Sequence, residues 1–185
     1  MRRFLGLPLI VAVGVGVLML GGCSRSDGWT ADFQVEKNDL VATGRNPYFI
    51  LEPGYQLVLE GGNAQVTITV LSETMMVDGV ETRVVEERET KGGKLVEVSR
   101  NYFAISNRTN DVFYFGEEVD MYNDGKVVSH AGSWLSGVKR AKFGLMMPGQ
   151  VSLNARYYQE RARKVAMDRA TIVSMSETVK TPAGN

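Results

Sequence analysis

The side chains in this sequence that could do chemistry fall into a few small groups, and the densest is acidic. Glu117, Glu118, Asp120 and Asp124 lie within eight residues. Oxygen-rich loops of this kind suit calcium. The EF-hand spacing fails, because Tyr122 stands where a side-chain ligand is required and no glutamate follows at the right distance. Solvated carboxylates at a strand end and hairpin are the reading adopted, and no metal is expected. A hydrolase working through this group is kept as the enzymatic alternative. Glu86, Glu87 and Glu89 could pair for glycosidic hydrolysis. Interleaved with Arg83, Arg88 and Lys91, they read instead as a wet strand face with cross-strand ion pairs. His130 is the single histidine. Ser129 and Ser133 are only its sequence neighbours, and no Gly-x-Ser-x-Gly elbow exists to present a nucleophile. No catalytic residue and no cofactor is assigned, and the chain is read as non-enzymatic.

Apolar side chains offer a second chemistry. Seven of the nine methionines lie beyond residue 70, together with Phe103, Phe113, Phe115, Trp134 and Phe143. Methionine is an adaptable lining for apolar cavities. This supply either fills a packed core or lines a cleft in a curved sheet. Phe103, Phe113, Phe115, Trp134, Met146 and Met147 are the candidate contacts to an apolar ligand. Basic runs occur at Lys139, Arg140 and Lys142 and from Arg156 to Arg169. They either form solvated faces or touch anionic lipid, at about 1 kcal/mol per residue near such a surface.

The whole composition narrows the classes. In 185 residues, 21 Lys+Arg balance 21 Asp+Glu, so no global basic field exists to hold nucleic acid. Hydrophobic residues at 44% and charged residues at 23% fit a globular chain and not a disordered one. A single cysteine and a single histidine exclude an internal disulfide and make a Cys/His zinc site improbable.

The elements that would position these residues are strands. Val66, Ile68 and Val70 alternate with Thr67 and Thr69, a period-two pattern rich in β-branched residues. Asp78-Gly79 sits between Met75-Met76-Val77 and the run from Val80 to Val85, a strong hairpin signal. Gly61-Gly62-Asn63, Lys91-Gly92-Gly93-Lys94, Asn107 to Asp111 and Asn123-Asp124-Gly125-Lys126 supply further turns. Their rhythm predicts an antiparallel meander. Ala155 to Ala170 is rich in helix formers and free of Gly and Pro, but its apolar residues scatter around any helix. A C-terminal helix and a strand–loop–strand both remain open there.

The start of the chain carries an address. Met1-Arg2-Arg3 precedes an apolar run from Phe4 to Leu20 and the small residues Gly21-Gly22 before Cys23. A basic start, an apolar stretch and small residues before a cut form a secretory signal. Leu20-Gly21-Gly22-Cys23 resembles the bacterial lipobox. That resemblance implies cleavage before Cys23, acylation of Cys23 and a membrane partner reached through lipid. Two or more acyl chains hold stably where one does not. Ser24, in the position where aspartate retains such proteins at the inner membrane, implies the periplasmic face of the outer membrane. Residues 1–22 are thus read as a signal peptide with an N-terminal signal helix, with an uncleaved transmembrane anchor as the alternative. The remaining 163 residues carry 19 basic against 21 acidic side chains. Residues 23–45, polar and broken, read as a lipidated tether, with docking of Trp29 and Phe33 on the domain or the membrane as the alternative.

Residues 46–185 are read as one mainly β domain, a curved antiparallel meander or incomplete barrel. This part resembles a group of uncharacterised bacterial secreted and lipoprotein domains. The matching stretches include Asn46-Pro47-Tyr48-Phe49, Val77-Asp78-Gly79-Val80, Asn101-Tyr102-Phe103-Ala104, the run from Asp111 to Glu117, Gly132-Ser133-Trp134 and the run from Gly144 to Pro148. The resemblance carries no catalytic residues. Similar domains continue past Thr181-Pro182-Ala183-Gly184, which implies a shortened C-terminus and an unpaired edge strand between Val173 and Thr181. The expected function is a non-enzymatic envelope lipoprotein that binds an apolar ligand or an envelope protein. A structural lipoprotein with a filled core is the alternative.

Overall fold

A computed structural model describes residues 28–184. The signal peptide with its expected helix, and Cys23, lie outside the described residues. After one 3₁₀ turn at Lys37–Asp39 come three short strands, β1 (Leu40–Val41), β2 (Arg45–Asn46) and β3 (Phe49–Ile50). The meander follows as β4 (Gln56–Gly61), β5 (Ala64–Val77), β6 (Val80–Lys91), β7 (Lys94–Ser106) and β8 (Val112–Asn123). Then come β9 (Lys126–Ser129), β10 (Trp134–Leu135), β11 (Lys142–Met147), β12 (Arg156–Tyr158), β13 (Glu160–Arg161) and β14 (Arg169–Thr171). The main sheet is antiparallel and has ten strands. Its order is β13-β11-β8-β7-β6-β5-β4, with β1 beside β7 and with β9 and β10 beside β8. It curls into a half-barrel.

Local chemistry sets the hairpins. Asp78 and Gly79 have φ of 49° and 76°, and Asp124 and Gly125 have 46° and 74°. Two successive left-handed residues form the tight turn that matches the twist of the flanking strands. Asp, Asn and Gly are the residues that tolerate it. One bulge interrupts β7–β8: Tyr102 opposes Gly116 and Phe103 opposes Tyr114, so Phe115 is the extra residue. At Gly116 φ is 142°, and a Cβ there would lie 2.4 Å from the main-chain oxygen of Trp134. Only glycine lets β10 approach β8 so closely.

Strand alternation sends apolar side chains to both faces of the sheet, and each face is covered. On one face Phe103, Ile105, Val112, Tyr114 and Trp134 pack with Leu51, Val70 and Val85. On the other, Tyr102, Ala104, Phe113 and Phe115 pack with Leu40, Val80 and Val84.

Several expectations change here. Among the described residues there is no α-helix, so the C-terminal helix over Ala155 to Ala170 is not formed. Instead Tyr157, Glu160 and Ala162 are buried at 4%, 5% and 4% exposure on short strands and a bridge. Tertiary burial overrides a weak helical preference. Residues from Trp29 onward are packed on the domain, so the stretch expected as tether is largely part of the body. The guanidinium carbons of Arg156 and Arg169 stand 4.3 and 4.6 Å from the Trp29 ring centroid. Thr30 bridges to Tyr157. Phe33 meets Phe113 edge-on at 5.8 Å, and Leu40 and Ala42 are buried. Residues 172–180 form no strand, so the unpaired edge expected there is absent, while β4 forms one end of the main sheet. No helix among the described residues is long and apolar enough to cross a membrane.

Candidate functional site

The site begins with a change of character along β7. Glu97, Ser99, Asn101 and Phe103 are spaced by two and all border one cavity. Beyond Phe103 the same face continues as Ile105 in a closed core. Before it, the face is polar. Ser99 and Asn101 are buried there at 4% and 7% exposure. Where an apolar sheet face turns polar yet stays covered, a cavity of about 360 Å³ opens. That size suits a small ligand. Neighbouring strands complete the wall: β5 gives Ile68, β6 gives Val85 and Glu87, β8 gives Tyr114 and Glu117, and β11 gives Met146. Gln159, Glu160 and Asp168 close the far side.

Its apolar wall is an aromatic row. Phe49 and Phe103 have ring centroids 4.9 Å apart, and Phe103 stacks on Tyr114 at 4.7 Å with 20° between planes. Tyr114 meets Trp134 edge-on at 5.3 Å. The Tyr114 hydroxyl donates to Asn101 Oδ1 at 2.6 Å. The Asn101 amide donates in turn to Ser99 Oγ at 3.0 Å and to the Val85 carbonyl at 3.4 Å. Gln159 Nε2 donates to the Met146 carbonyl at 3.3 Å. These bonds fix the polar wall in place.

Among the described residues, five carboxylates border the cavity, on Glu87, Glu97, Glu117, Glu160 and Asp168, and no Lys, Arg or His does. Burial, then the charges of Asp168 and Glu117, push Glu160 up to about 7, against the opposing help of the Asp168 N–H and the nearby Trp134 indole. Burial is also the largest cause that raises Glu117, Glu87 and Glu97. Glu160 is 5% exposed, and its Oε2 has no hydrogen-bond partner. Trp134 Nε1 likewise lacks one: the indole is close enough to influence Glu160 but outside hydrogen-bonding geometry. Among the described residues, no group of three or more His, Cys, Asp or Glu could hold a metal ion. The carboxylates ring the space and do not converge on a point.

The six candidate contacts divide between the two faces. Phe103 and Met146 border the cavity, and Trp134 and Met147 belong to the cluster beside it. Phe113 and Phe115 point to the opposite face, where Phe115 is fully buried and stacks on Phe143 at 4.8 Å. Most other methionines stay out of the cluster: Met75, Met76, Met167 and Met175 are exposed. Alternation also splits the acidic group. Glu117 borders the cavity, while Glu118 accepts from the Tyr102 hydroxyl at 2.8 Å on the other face, near Asp120 and His130. Asp120 pairs with His130 Nδ1 at 2.8 Å. Sequence reasoning missed Glu97, Glu160 and Asp168 and took Glu87 for a wet face. The available signal was the polar run Glu97, Ser99, Asn101 in phase with Phe103. Arg83 was also taken for that wet face, yet it is buried at 6% exposure and bonds main-chain oxygens.

No protein family, curated protein or solved structure matches the chain.

Proposed function

We propose that this chain is a bacterial envelope lipoprotein, anchored by acylated Cys23, that binds a small ligand in the cavity of its half-barrel without transforming it. The periplasmic face of the outer membrane is the proposed location. The observation that carries the binding reading is a buried carboxylate, Glu160, with an unpartnered oxygen on an aromatic-walled cavity. Buried polar groups are normally satisfied, and exceptions need a reason. A purely apolar ligand, the original expectation, would leave Glu160 unpaired. A filled-core structural protein, the competing expectation, accounts for the Phe103–Ile105 end of the sheet face but not for the open end.

The test is native mass spectrometry of the full chain released from non-ionic detergent. A reproducible bound small molecule, lost in Phe103→Ala and kept in Phe115→Ala, is the expected result. Bare protein, or a bound mass indifferent to Phe103, overturns the reading. One observation favours hydrolysis as a second reading: a carboxylic acid titrating near neutrality can serve as a general acid. Turnover of a chromogenic glycoside, lost in Glu160→Gln, would move the chain into that class.

A further inference from the structure

We propose that the cavity takes an organic cation, a protonated amine or guanidinium carried on a flat or aliphatic body. This rests on the binding reading above and names the ligand class. Three features support it together. The first is charge: among the described residues, five carboxylates and no basic side chain border the space. An anionic ligand would meet repulsion from every side. The second is the open acceptor. Glu160 borders the cavity, is 5% exposed, and its Oε2, beside the Trp134 indole, has no hydrogen-bond partner. An N–H donor satisfies it; a hydrocarbon leaves it exposed to the full desolvation cost. The third is the aromatic row. Phe49, Phe103 and Tyr114 border the same space, so the flat or aliphatic body of the ligand lies against ring carbon while its charged end meets the carboxylates.

Size and spacing exclude a simpler cation. The carboxylates come from β6, β7, β8, β13 and the segment before β14, and they surround about 360 Å³. No three acidic groups among the described residues are placed to share one metal ion. A divalent ion needs its oxygens gathered within a single coordination shell. A bulky cation can meet several dispersed carboxylates at once, with its body against the rings.

Proton linkage supports the same conclusion. Glu160 faces Glu117 on β8, Asp168, and the indole N–H of Trp134, while Glu117 in turn faces Glu87 on β6 and Glu97 on β7. Burial and mutual repulsion raise these carboxyls in the empty cavity. A bound cation favours their charged forms and releases the protons held there. Affinity therefore increases from pH 5 to pH 8.

The experiment is isothermal titration of the full chain in non-ionic detergent at pH 8. The cationic probes are phenethylammonium and agmatine. Phenethyl alcohol and phenylacetate are the neutral and anionic counterparts. The expected result is binding of at least one cation about tenfold tighter than the alcohol, with no binding of phenylacetate. Glu160→Gln should weaken the cation about tenfold and bring it level with the alcohol, and the same titration repeated at pH 6.5 in buffers of different ionisation enthalpy should report proton release. Circular dichroism checks that the variant is folded, and Asp168→Asn serves if it is not. Equal binding of alcohol and ammonium, unchanged binding in Glu160→Gln, or no binding of either cation overturns the proposal. Alcohol binding that depends on Phe103 while the cations fail would sink the cation inference and leave the binding reading standing.

Discussion

Arg83 Nη1 donates to the main-chain oxygen of Ser72 at 2.6 Å, at the place where the register of β5 on β6 shifts. The same guanidinium reaches Glu73 O at 3.2 Å, Leu71 O at 3.4 Å, Ala42 O at 3.1 Å and Thr43 Oγ1 at 2.7 Å. All five are neutral oxygens, four main-chain carbonyls and one hydroxyl, drawn from the irregular stretch of β5 and from the N-terminal segment. Replacing Arg83 by Met strands those carbonyls in a buried place. The expected loss is about 3 kcal/mol or more in urea unfolding. Arg83→Lys should not restore it, because a single ammonium cannot span the two segments that a planar fork joins.

Stability should fall as pH rises toward neutrality. Glu160 holds its proton up to about pH 7 in the folded chain, against an ordinary value of 4.5. The folded state then binds more protons than the unfolded state between those limits, so the slope of stability against pH is negative there. The Glu160 contribution is complete below about pH 4.5 and is lost through about pH 7. From the width of that window it amounts to about 3 kcal/mol. Urea unfolding at pH 5 and pH 7.5 checks it, and Glu160→Gln should remove most of the difference.

Phe115 and Phe103 should separate stability from binding. Phe115 is fully buried on the face away from the cavity, and Phe115→Ala should cost about 3–5 kcal/mol with ligand affinity unchanged in the folded fraction. Phe103 borders the cavity, so Phe103→Ala should lose affinity as well as stability. Parallel denaturation and titration of the two variants gives the answer.

Gly116→Ala should displace β10. The added methyl would meet Trp134 O at 2.4 Å and adopt a φ of 142°. A loss of about 3 kcal/mol or more, with a changed Trp134 fluorescence, is expected.

The meander was legible in the sequence because its signals are local. Asp78-Gly79, Gly92-Gly93 and Asp124-Gly125 each specify a turn within a few residues, and the strands between them have the expected composition. Short elements were not legible. Leu40 and Val41 form a two-residue strand whose warrant is a partner more than sixty residues away, Ser106 and Ile105. The cavity failed for the same reason. Its carboxylates come from five separate segments, and no spacing in the chain brings Glu87 near Glu160 or Asp168. Glu117 was noticed for its acidic neighbours, yet alternation gives it different companions altogether. Arg83 looked like one cation in an alternating charged run, because the register shift between β5 and β6 leaves no mark in local sequence.

Trp29 is held on the folded body by Arg156 and Arg169. With lipid on Cys23, as proposed, six residues of chain separate the membrane from that point. Fully extended, they span roughly 20 Å. The leash is therefore shorter than the body it holds. A body so anchored would stay within about one molecule's depth of the bilayer as its lipid diffuses in the plane. Any delivery partner has to come down to the lipid surface to reach it.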